Sequence, residues 1–315
     1  MANSTALVEF QLLGFQSPPG WQTFLFIVLL VIYLLTVTGN AVIIFVVQLE
    51  ARLHSPMYSF LQNLSFLEIC YISTIMPKML ADLLAERKAI SFAGCIAQLY
   101  CFVFLGATEC FLLAVMAYDR YLAICEPLYY TVKMSDASCT RLAIGSWVTG
   151  IFTGLLPSLL ISRLRFCGSN QIKHFFCDIP PLLKLSCSDT SMTEVVIFIL
   201  SLLVLFSCLL LTLVSYLFII LTILKIPSSS GKRKTFSTCG SHLAVVSIYY
   251  GTMISMYVRP TSNLSSELNK IVSVFYTVVT PLLNPVIYSL RNKDFRDALK
   301  KQLRRTLVRG GLDNT

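Results

Sequence analysis

Seven stretches of this chain are each long and apolar enough to cross a lipid bilayer as a helix. The hydrocarbon core of a bilayer needs ~20 consecutive apolar residues per helix. The composition agrees, because 56% of the 315 residues are hydrophobic and only 13% are charged, whereas soluble domains have about a quarter charged residues. The sequence therefore predicts an all-α membrane protein, a seven-transmembrane helix bundle over residues 23–290. Its spans are predicted at about 23–49, 57–84, 92–125, 141–162, 194–224, 236–258 and 271–290.

The distribution of Lys and Arg predicts how the bundle is oriented. Fifteen of these cations lie on or near one side of the predicted membrane, nine lie on or near the other, and residues 1–22 carry none. Because cytoplasmic loops are enriched in Lys and Arg, we expect a multi-pass plasma-membrane protein with an extracellular segment at 1–22 and a cytoplasmic segment at 291–315. The sequon at Asn3 then lies outside and is a predicted glycosylation site. The net charge of +9 is explained by topology, with no need for nucleic acid.

The segment after the last span has an amphipathic pattern. Phe295, Leu299 and Leu303 recur at four-residue spacing among many cations. This spacing places the three apolar side chains on one face of a helix. We therefore expect a short amphipathic helix there, in contact with the lipids of the inner leaflet.

Four of the eleven cysteines fall on the predicted outer side. They are Cys95, Cys167, Cys177 and Cys187, an even number in an oxidising compartment. Four cysteines permit three pairings, and the residues alone do not choose among them. Metal binding by His174, Cys177 and Asp178 is the alternative for this loop, but a disulfide would remove the thiolate of Cys177. We expect disulfides and no metal there.

Motifs at consistent depths in the spans indicate a family. Asp119-Arg120-Tyr121 ends the third span and the Asn-Pro-x-x-Tyr motif ends the seventh, and the pair resembles the rhodopsin-like (class A) G protein-coupled receptors. Four longer stretches resemble the odorant (olfactory) receptor family, in its tetrapod-type class II branch, over essentially the whole chain. They are "LHSPMYSFLQNLSFLEIC" (53–70), "MAYDRYLAICEPLYY" (116–130), "KTFSTCGSHLAVV" (234–246) and "PLLNPVIYSLRNKDF" (281–295).

The resemblance implies a receptor rather than an enzyme, with no cofactor. Its partners would be a small volatile odorant and a heterotrimeric G protein with a stimulatory, olfactory-type α subunit that raises cAMP. It also implies the disulfides Cys95–Cys177 and Cys167–Cys187, and an Arg120 that is restrained at rest by Asp119. The implied switch and coupling residues are Asp119, Arg120, Tyr121, Tyr216, Tyr250, Asn284, Pro285 and Tyr288. A chemosensory receptor outside the olfactory system is one alternative, and a transporter or channel is another on topology alone.

Receptors of this class bind small ligands in the outer half of the bundle, which selects one face of the third span. The candidates there follow helical spacing: Phe102, Val103, Gly106, Ala107 and Cys110. The matching depth on spans six and seven brings Met253, Ile254, Tyr257, Val274 and Thr277. The alternative for each is ordinary core packing. Amines and retinal are disfavoured, because Phe102 stands where amine receptors have a carboxylate and Val278 where opsins have a lysine.

Two acidic residues fall near the middle of their spans. Ionised side chains are costly at that depth and usually serve a function. Glu68 and Glu109 have no adjacent cation in the sequence. The resemblance to rhodopsin-like receptors implies a sodium site between these two positions, with Asn40 and Asn284 nearby. We expect a sodium ion or a shared proton at this site. Two protonated acids hydrogen-bonded in the core are the alternative.

Overall fold

The computed structural model describes residues 9–15, 18–167, 169–257, 266–290 and 293–312. Asn3 lies outside them. Seven spanning segments form one bundle, which confirms the predicted fold class. In chain order the helices are α1 (Pro19–Leu49), α2 (Pro56–Leu84), α3 (Phe92–Cys125), α4 (Pro127–Lys133), α5 (Asp136–Ser162), α6 (Ile179–Leu185), α7 (Ser191–Lys225), α8 (Ser229–Tyr257), α9 (Ser266–Val274), α10 (Thr280–Leu290) and α11 (Lys293–Leu312).

The spans are α1, α2, α3, α5, α7 and α8, followed by a composite seventh. The first five are long and apolar enough to cross a membrane by length and composition. The seventh span consists of α9, a π-helical turn at Phe275–Val279 and α10. Such turns shift the helical register locally and are common at functional sites. We call the end of the bundle that carries the disulfides the disulfide end, and the opposite end the Arg120 end.

Local sequence signals explain where several helices begin. Proline occupies the first turn of α1 and α2, where its missing N–H costs nothing. The Ser91 hydroxyl accepts a hydrogen bond from the backbone N–H of Gly94 at 3.1 Å and caps α3. Ser135 caps α5 in the same way through Ser138, at 3.4 Å. These signals fix the depth at which the α3 and α5 side chains lie.

Two glycines let α5 pack closely against α3. A Cβ atom at Gly150 would collide with Thr108, and one at Gly154 would lie 2.9 Å from the backbone of Phe104. Real Cβ contacts are essentially never that short, so larger residues would push the helices apart. The helix pair therefore forms a tight wall on one side of the bundle.

A small sheet covers the disulfide end, and the sequence patterns did not predict it. Strand β1 (Glu9–Leu12) lies between β2 (Ala89–Ser91) and β3 (Gln171–Ile172). It pairs antiparallel with β2 and parallel with β3. Phe10 and Leu12 alternate inward and are each 1% exposed, as expected for a half-buried strand. The sheet ties the segment before α1 to the two loops that flank α3.

The predicted helix after the last span is α11. The beginning of its apolar face packs against the bundle, and the part further along the helix faces outward. Phe295 is 1% exposed and belongs to the main core cluster, whereas Leu303 is 55% exposed. The carboxylate of Glu50, at the end of α1, accepts hydrogen bonds from Lys301 Nζ at 2.9 Å and Gln302 Nε2 at 2.7 Å. Helix α11 is thus fixed to α1 by charge as well as by burial.

Candidate functional site

A cavity lies in the half of the bundle nearer the disulfide end, between α3, α5, α7 and α8. It encloses about 540 Å³ including its open mouth. Its lining residues are Phe102, Val103, Gly106, Ala107, Cys110, Thr153, Pro157, Ile179, Leu200, Ser201, Val204, Leu205, Tyr249 and Met253.

The structure brings six of the ten predicted ligand residues to this cavity: Phe102, Val103, Gly106, Ala107, Cys110 and Met253. Ile254 does not line it and is 37% exposed. Val274 packs against a hydrophobic cluster to which α2 and α3 contribute most of the residues. Thr277 lies in the π-helical turn, where its hydroxyl donates to the Ser273 carbonyl at 2.7 Å. The side chain of Tyr257 lies outside the described part of the chain.

The cavity wall is apolar and carries no charged side chain among its lining residues. Two of its hydroxyls are already engaged, since Thr153 donates to the Thr149 carbonyl at 2.8 Å and Tyr249 donates to the Gly106 carbonyl at 2.6 Å. The hydroxyl of Ser201 has no hydrogen-bond partner among the described residues. Ser201 is therefore the one side-chain hydroxyl in this lining that a ligand can engage without breaking a bond seen in the fold.

The sequence did not indicate that α7 forms part of the cavity wall. Leu200, Ser201, Val204 and Leu205 follow the spacing of one helical face. However, α7 is apolar almost throughout its 35 residues, so periodicity does not separate its lipid-facing side from its cavity side. The spacing on α3 was informative because polar residues interrupt that helix.

The loop before α7 forms the roof of the cavity. Cys95 is bonded to Cys177 with Cα atoms 5.5 Å apart, and Cys167 to Cys187 with Cα atoms 5.9 Å apart. These are the pairs that the family resemblance implies. Ring contacts continue the roof inward, since the Phe176 ring lies 4.9 Å from that of Phe102 at the cavity edge.

A buried histidine holds the same loop against the seventh span. His174 is 1% exposed, and its Nε2 lies 3.2 Å from the Ser273 hydroxyl. Burial, and then the positive charge of Lys270, lower the pKa of His174 to about 3. The imidazole is neutral at pH 7. Cys177 is consumed by its disulfide, and no three His, Cys, Asp or Glu residues converge as a metal site in the described ranges.

The two intramembrane acids meet in the centre of the bundle. Glu68 is fully buried and Glu109 is 1% exposed, and their carboxyl groups lie close enough to share a hydrogen bond. Asn284 Nδ2 donates to Glu68, and Asn40 Nδ2 donates to the Pro281 carbonyl at 3.3 Å. Four buried oxygens there have no partner in the described structure: Asn40 Oδ1, Glu68 Oε2, Glu109 Oε1 and Asn284 Oδ1. Oxygen donors of this kind suit a small hard cation.

At the Arg120 end, Asp119 does not form the ion pair that we expected with Arg120. Its carboxylate accepts a hydrogen bond from the Tyr130 hydroxyl at 2.9 Å instead, and Arg120 has no ion pair among the described residues. The physical reason is geometric, because α4 brings a phenol to the buried Asp119 side chain and satisfies it there. The guanidinium of Arg120 remains only partly buried.

The other predicted switch residues divide between the two ends of the bundle. Tyr216 on α7 lies 2.6 Å from Nδ1 of His242 on α8, a partner that the sequence did not indicate. Tyr250 donates to the Cys110 carbonyl at 3.2 Å, next to the cavity. Tyr121 donates to Glu126 at 2.9 Å. Pro285 is buried in α10, and the side chain of Tyr288 lies outside the described residues.

A seven-helix bundle with a roofed cavity in one half, and with an arginine at the end of its third span that has no ion pair within the described ranges, has the arrangement of a G protein-coupled receptor. Comparison with known proteins narrows this class. A family model described as Olfactory receptor matches residues 29–306. The chain belongs to the olfactory receptor family, and it is a receptor rather than an enzyme.

Several relatives match along nearly their full length. The chain is 66% identical over 303 residues to Olfactory receptor 11L1 from Homo sapiens, which covers 96% of this chain and 94% of that protein. It is 51% identical to Olfactory receptor 6N1 from Homo sapiens, over 96% and 97% of the two chains. It is 49% identical to Olfactory receptor 5M5 from Mus musculus, over 97% and 96%. The resemblance found in the motifs is therefore confirmed across the chain.

Proposed function

We propose that this olfactory receptor binds small, weakly polar volatile molecules in the cavity between α3, α5, α7 and α8. The observation that carries the proposal is the uncharged, apolar wall with one unengaged hydroxyl at Ser201. Such a wall holds a ligand by shape, dispersion and one hydrogen bond. We expect binding of about 4 to 8 kcal/mol, which corresponds to millimolar to micromolar affinity. An odorant with an apolar body and one carbonyl, ester or hydroxyl group fits best.

Helix α8 links the cavity to the Arg120 end. Tyr249 and Met253 line the cavity, while His242, two turns along the same helix, holds Tyr216. A ligand that binds better to one position of α8 shifts the equilibrium between receptors that have the Tyr216–His242 contact and receptors that have lost it. Because α8 carries both groups of residues, no other connection between the cavity and the Arg120 end is required. In the shifted state Tyr216 turns to Arg120, and the cleft admits a stimulatory, olfactory-type Gα subunit that raises cAMP. Tyr288 would move with α10.

We propose that the receptor lies in the membrane in the orientation that the distribution of Lys and Arg predicts. The disulfide end would be extracellular, supported by the oxidising chemistry that disulfides require, with 1–22 outside and glycan on Asn3. Residues 291–315 would be cytoplasmic. The cations of α11 that point away from the bundle would contact anionic lipid: Arg296, Lys300 and Arg304.

The buried acids would couple activation to a sodium ion or a proton. Two carboxyl groups in contact cannot both be ionised without a counter-charge. The unpartnered oxygens of Glu68, Glu109, Asn40 and Asn284 would supply the ligands. If the cation stabilises the resting position of α8, then sodium lowers odorant potency.

A panel of volatile odorants against a cAMP reporter tests the proposal, with the receptor displayed at the cell surface. A Cβ atom added at Gly106 would lie 3.4 Å from the side chain of Met253. The larger side chain in Gly106→Leu therefore fills the cavity. Gly145→Leu is the matched control, because a Cβ there has nothing within 4 Å. We expect Gly106→Leu to abolish or re-order the agonist responses, whereas Gly145→Leu keeps them.

Ser201→Ala refines the test. Losing one hydrogen bond of about 0.5–1.5 kcal/mol should raise EC50 by roughly 2- to 12-fold for oxygen-bearing agonists and leave hydrocarbon agonists unchanged. Agonist potencies that are unchanged in Gly106→Leu would contradict the proposed site. A response that persists as current or uptake in cells lacking Gα would contradict the proposed signalling through a G protein.

A further inference from the structure

The roof loop carries an open cleft between β3 and α6. The cleft has about 370 Å³ of space that a ligand can occupy, which is within the usual range of about 300–1,000 Å³ for small-molecule sites. None of its lining residues lines the odorant cavity. The cleft is therefore a second candidate site, and its chemistry can be considered separately.

Both walls of the cleft are fixed to the rest of the fold. One wall is the segment 171–174, which includes β3, and the backbone N–H of Leu13 donates to the Ile172 carbonyl in it at 2.9 Å. The other wall is α6, which lies between the disulfide-bonded Cys177 and Cys187. Because these walls are already ordered, a ligand that binds between them does not bear the entropic cost of ordering a loop.

The charged side chains on the cleft wall are cations. Lys173 and Lys184 line the cleft, whereas no Asp or Glu lines it in the part of the chain that the structure describes. Lys184 is exposed and forms no ion pair among the described residues. Lys173 is also exposed but takes part in a further interaction, so Lys184 is the principal cation for a ligand. A wall of this charge favours anions.

The buried charges beneath the cleft do not reverse this preference. Asp178, which precedes α6, is fully buried. Its carboxylate accepts hydrogen bonds from the backbone N–H of Ile179 at 2.7 Å and from the Tyr276 hydroxyl at 3.5 Å, so it is engaged inside the bundle. The positive charge of Lys270 lies close enough to His174, in the cleft wall, to lower the pKa of His174. Lys270 therefore adds to the positive field on that side.

The rest of the α6 wall is apolar. Pro180 and Pro181 lie in the first turn of α6, where the fixed φ of proline makes the wall stiff. Leu185 lies one turn after Pro181, and all three residues line the cleft. An apolar surface beside a cation suits a ligand that joins a carboxylate to a compact apolar body. An inorganic anion would use the cation alone and leave the apolar surface in water.

We propose that this cleft binds small organic carboxylates, with the carboxylate at Lys184 and Lys173 and the apolar body on the two prolines. The odorant cavity does not suit such ligands, because none of its lining residues is charged and an unpaired carboxylate is costly to bury. The two sites are neighbours along the chain, since Ile179 lines the odorant cavity and Pro180 lines the cleft. The receptor can therefore hold a neutral odorant and an organic anion at the same time.

Binding of benzoate to the purified full-length receptor in lipid nanodiscs tests this proposal. Saturation-transfer NMR measures the affinity, benzamide is the neutral probe of similar shape, and empty nanodiscs give the binding to lipid alone. We expect the parent receptor to bind benzoate more tightly than benzamide, and less tightly as sodium chloride screens the exposed charges. Acetate, which has the carboxylate without the ring, should bind more weakly than benzoate. Because no signalling is measured, failure here leaves the odorant cavity proposal intact.

Variants of the two lysines locate the bound carboxylate. Lys184→Gln should weaken benzoate binding by about 1.5- to 5-fold, the loss expected for one exposed ion pair. In the double variant Lys173→Gln/Lys184→Gln, benzoate and benzamide should bind equally. Arg163→Gln is the matched control, because Arg163 is an exposed cation at the end of α5 that does not line the cleft. Gly106→Leu, which fills the odorant cavity, should leave the affinity for benzoate unchanged.

Five results would each overturn the proposal. The parent receptor binds no more benzoate than empty nanodiscs do, or it binds benzamide or acetate as tightly as benzoate. The double lysine variant keeps the parent's preference for benzoate over benzamide. Arg163→Gln weakens benzoate binding as much as Lys184→Gln does. Lys184→Gln binds benzoate as the parent does, or Gly106→Leu removes the binding.

Discussion

The hydroxyl of Tyr216 lies 2.6 Å from Nδ1 of His242, with the two rings stacked at 21°. This contact joins α7 to α8 at the Arg120 end while Arg120 itself has no ion pair among the described residues. Tyr216 is thus held by α8 rather than by the arginine. We infer that the contact belongs to the resting receptor and that activation exchanges it for Arg120.

His242→Leu should raise basal cAMP. Removing the imidazole frees Tyr216, and one hydrogen bond of about 0.5–1.5 kcal/mol corresponds to a population shift of roughly 2- to 12-fold. Basal reporter activity at matched surface expression measures it. Tyr216→Phe added to His242→Leu should cancel the rise, since the phenol oxygen is then missing. Unchanged basal activity in His242→Leu would remove this contact from the mechanism.

Tyr130→Phe should destabilise the receptor. It leaves the buried Asp119 without its hydrogen-bond donor, at a cost of about 1–3 kcal/mol, so the Tm of the detergent-solubilised receptor should fall by several degrees. Tyr129→Phe is the matched control, because Tyr129 is 61% exposed. Equal Tm values for the two variants would mean that Asp119 does not depend on α4.

The receptor should lose stability in mild acid through His174. Its folded pKa is about 3 and the unfolded value is about 6.5. Below pH 6.5 the unfolded chain binds a proton that the folded chain does not, so stability falls as the pH drops towards 3. Comparing Tm at pH 7.5 and 5 should show a smaller loss in His174→Asn than in the parent. His54→Asn is the control, because His54 is exposed, and it should lose as much Tm as the parent. If His174→Asn also loses as much Tm as the parent, groups other than His174 cause the acid sensitivity.

Glu109→Gln should make odorant potency independent of sodium. The variant replaces a carboxyl group that faces Glu68 with a neutral amide, which cannot balance a cation. EC50 values in sodium and in N-methylglucamine buffers, at two pH values, measure the effect. Asp82→Asn, at a different buried acid, is the control. A Glu109→Gln receptor that responds to sodium and pH as the parent does would leave the two acids with a structural role only.

The sequence predicted the bundle from the length of its apolar runs. It predicted the α3 wall from the family resemblance, which selected the outer half of the span, together with the helical spacing of Phe102, Gly106 and Cys110. It did not predict β1, since a four-residue strand depends on partners 80 and 160 residues away. Thr277 was placed in the ligand site, but the π-helical turn changes the register of the seventh span and turns its hydroxyl to Ser273. Asp119 was assigned to Arg120 because the family resemblance implies that restraint, whereas tertiary packing supplies Tyr130 as its partner.

The most direct test of the odorant cavity is a cryo-electron microscopy structure of the receptor with its best agonist and a stimulatory Gα. We predict ligand density between Gly106 and Met253, with a polar atom of the agonist within hydrogen-bond distance of Ser201 Oγ and Tyr216 released from His242. Density beside Val274 on the seventh span, with an empty cavity between α3 and α7, would contradict the account.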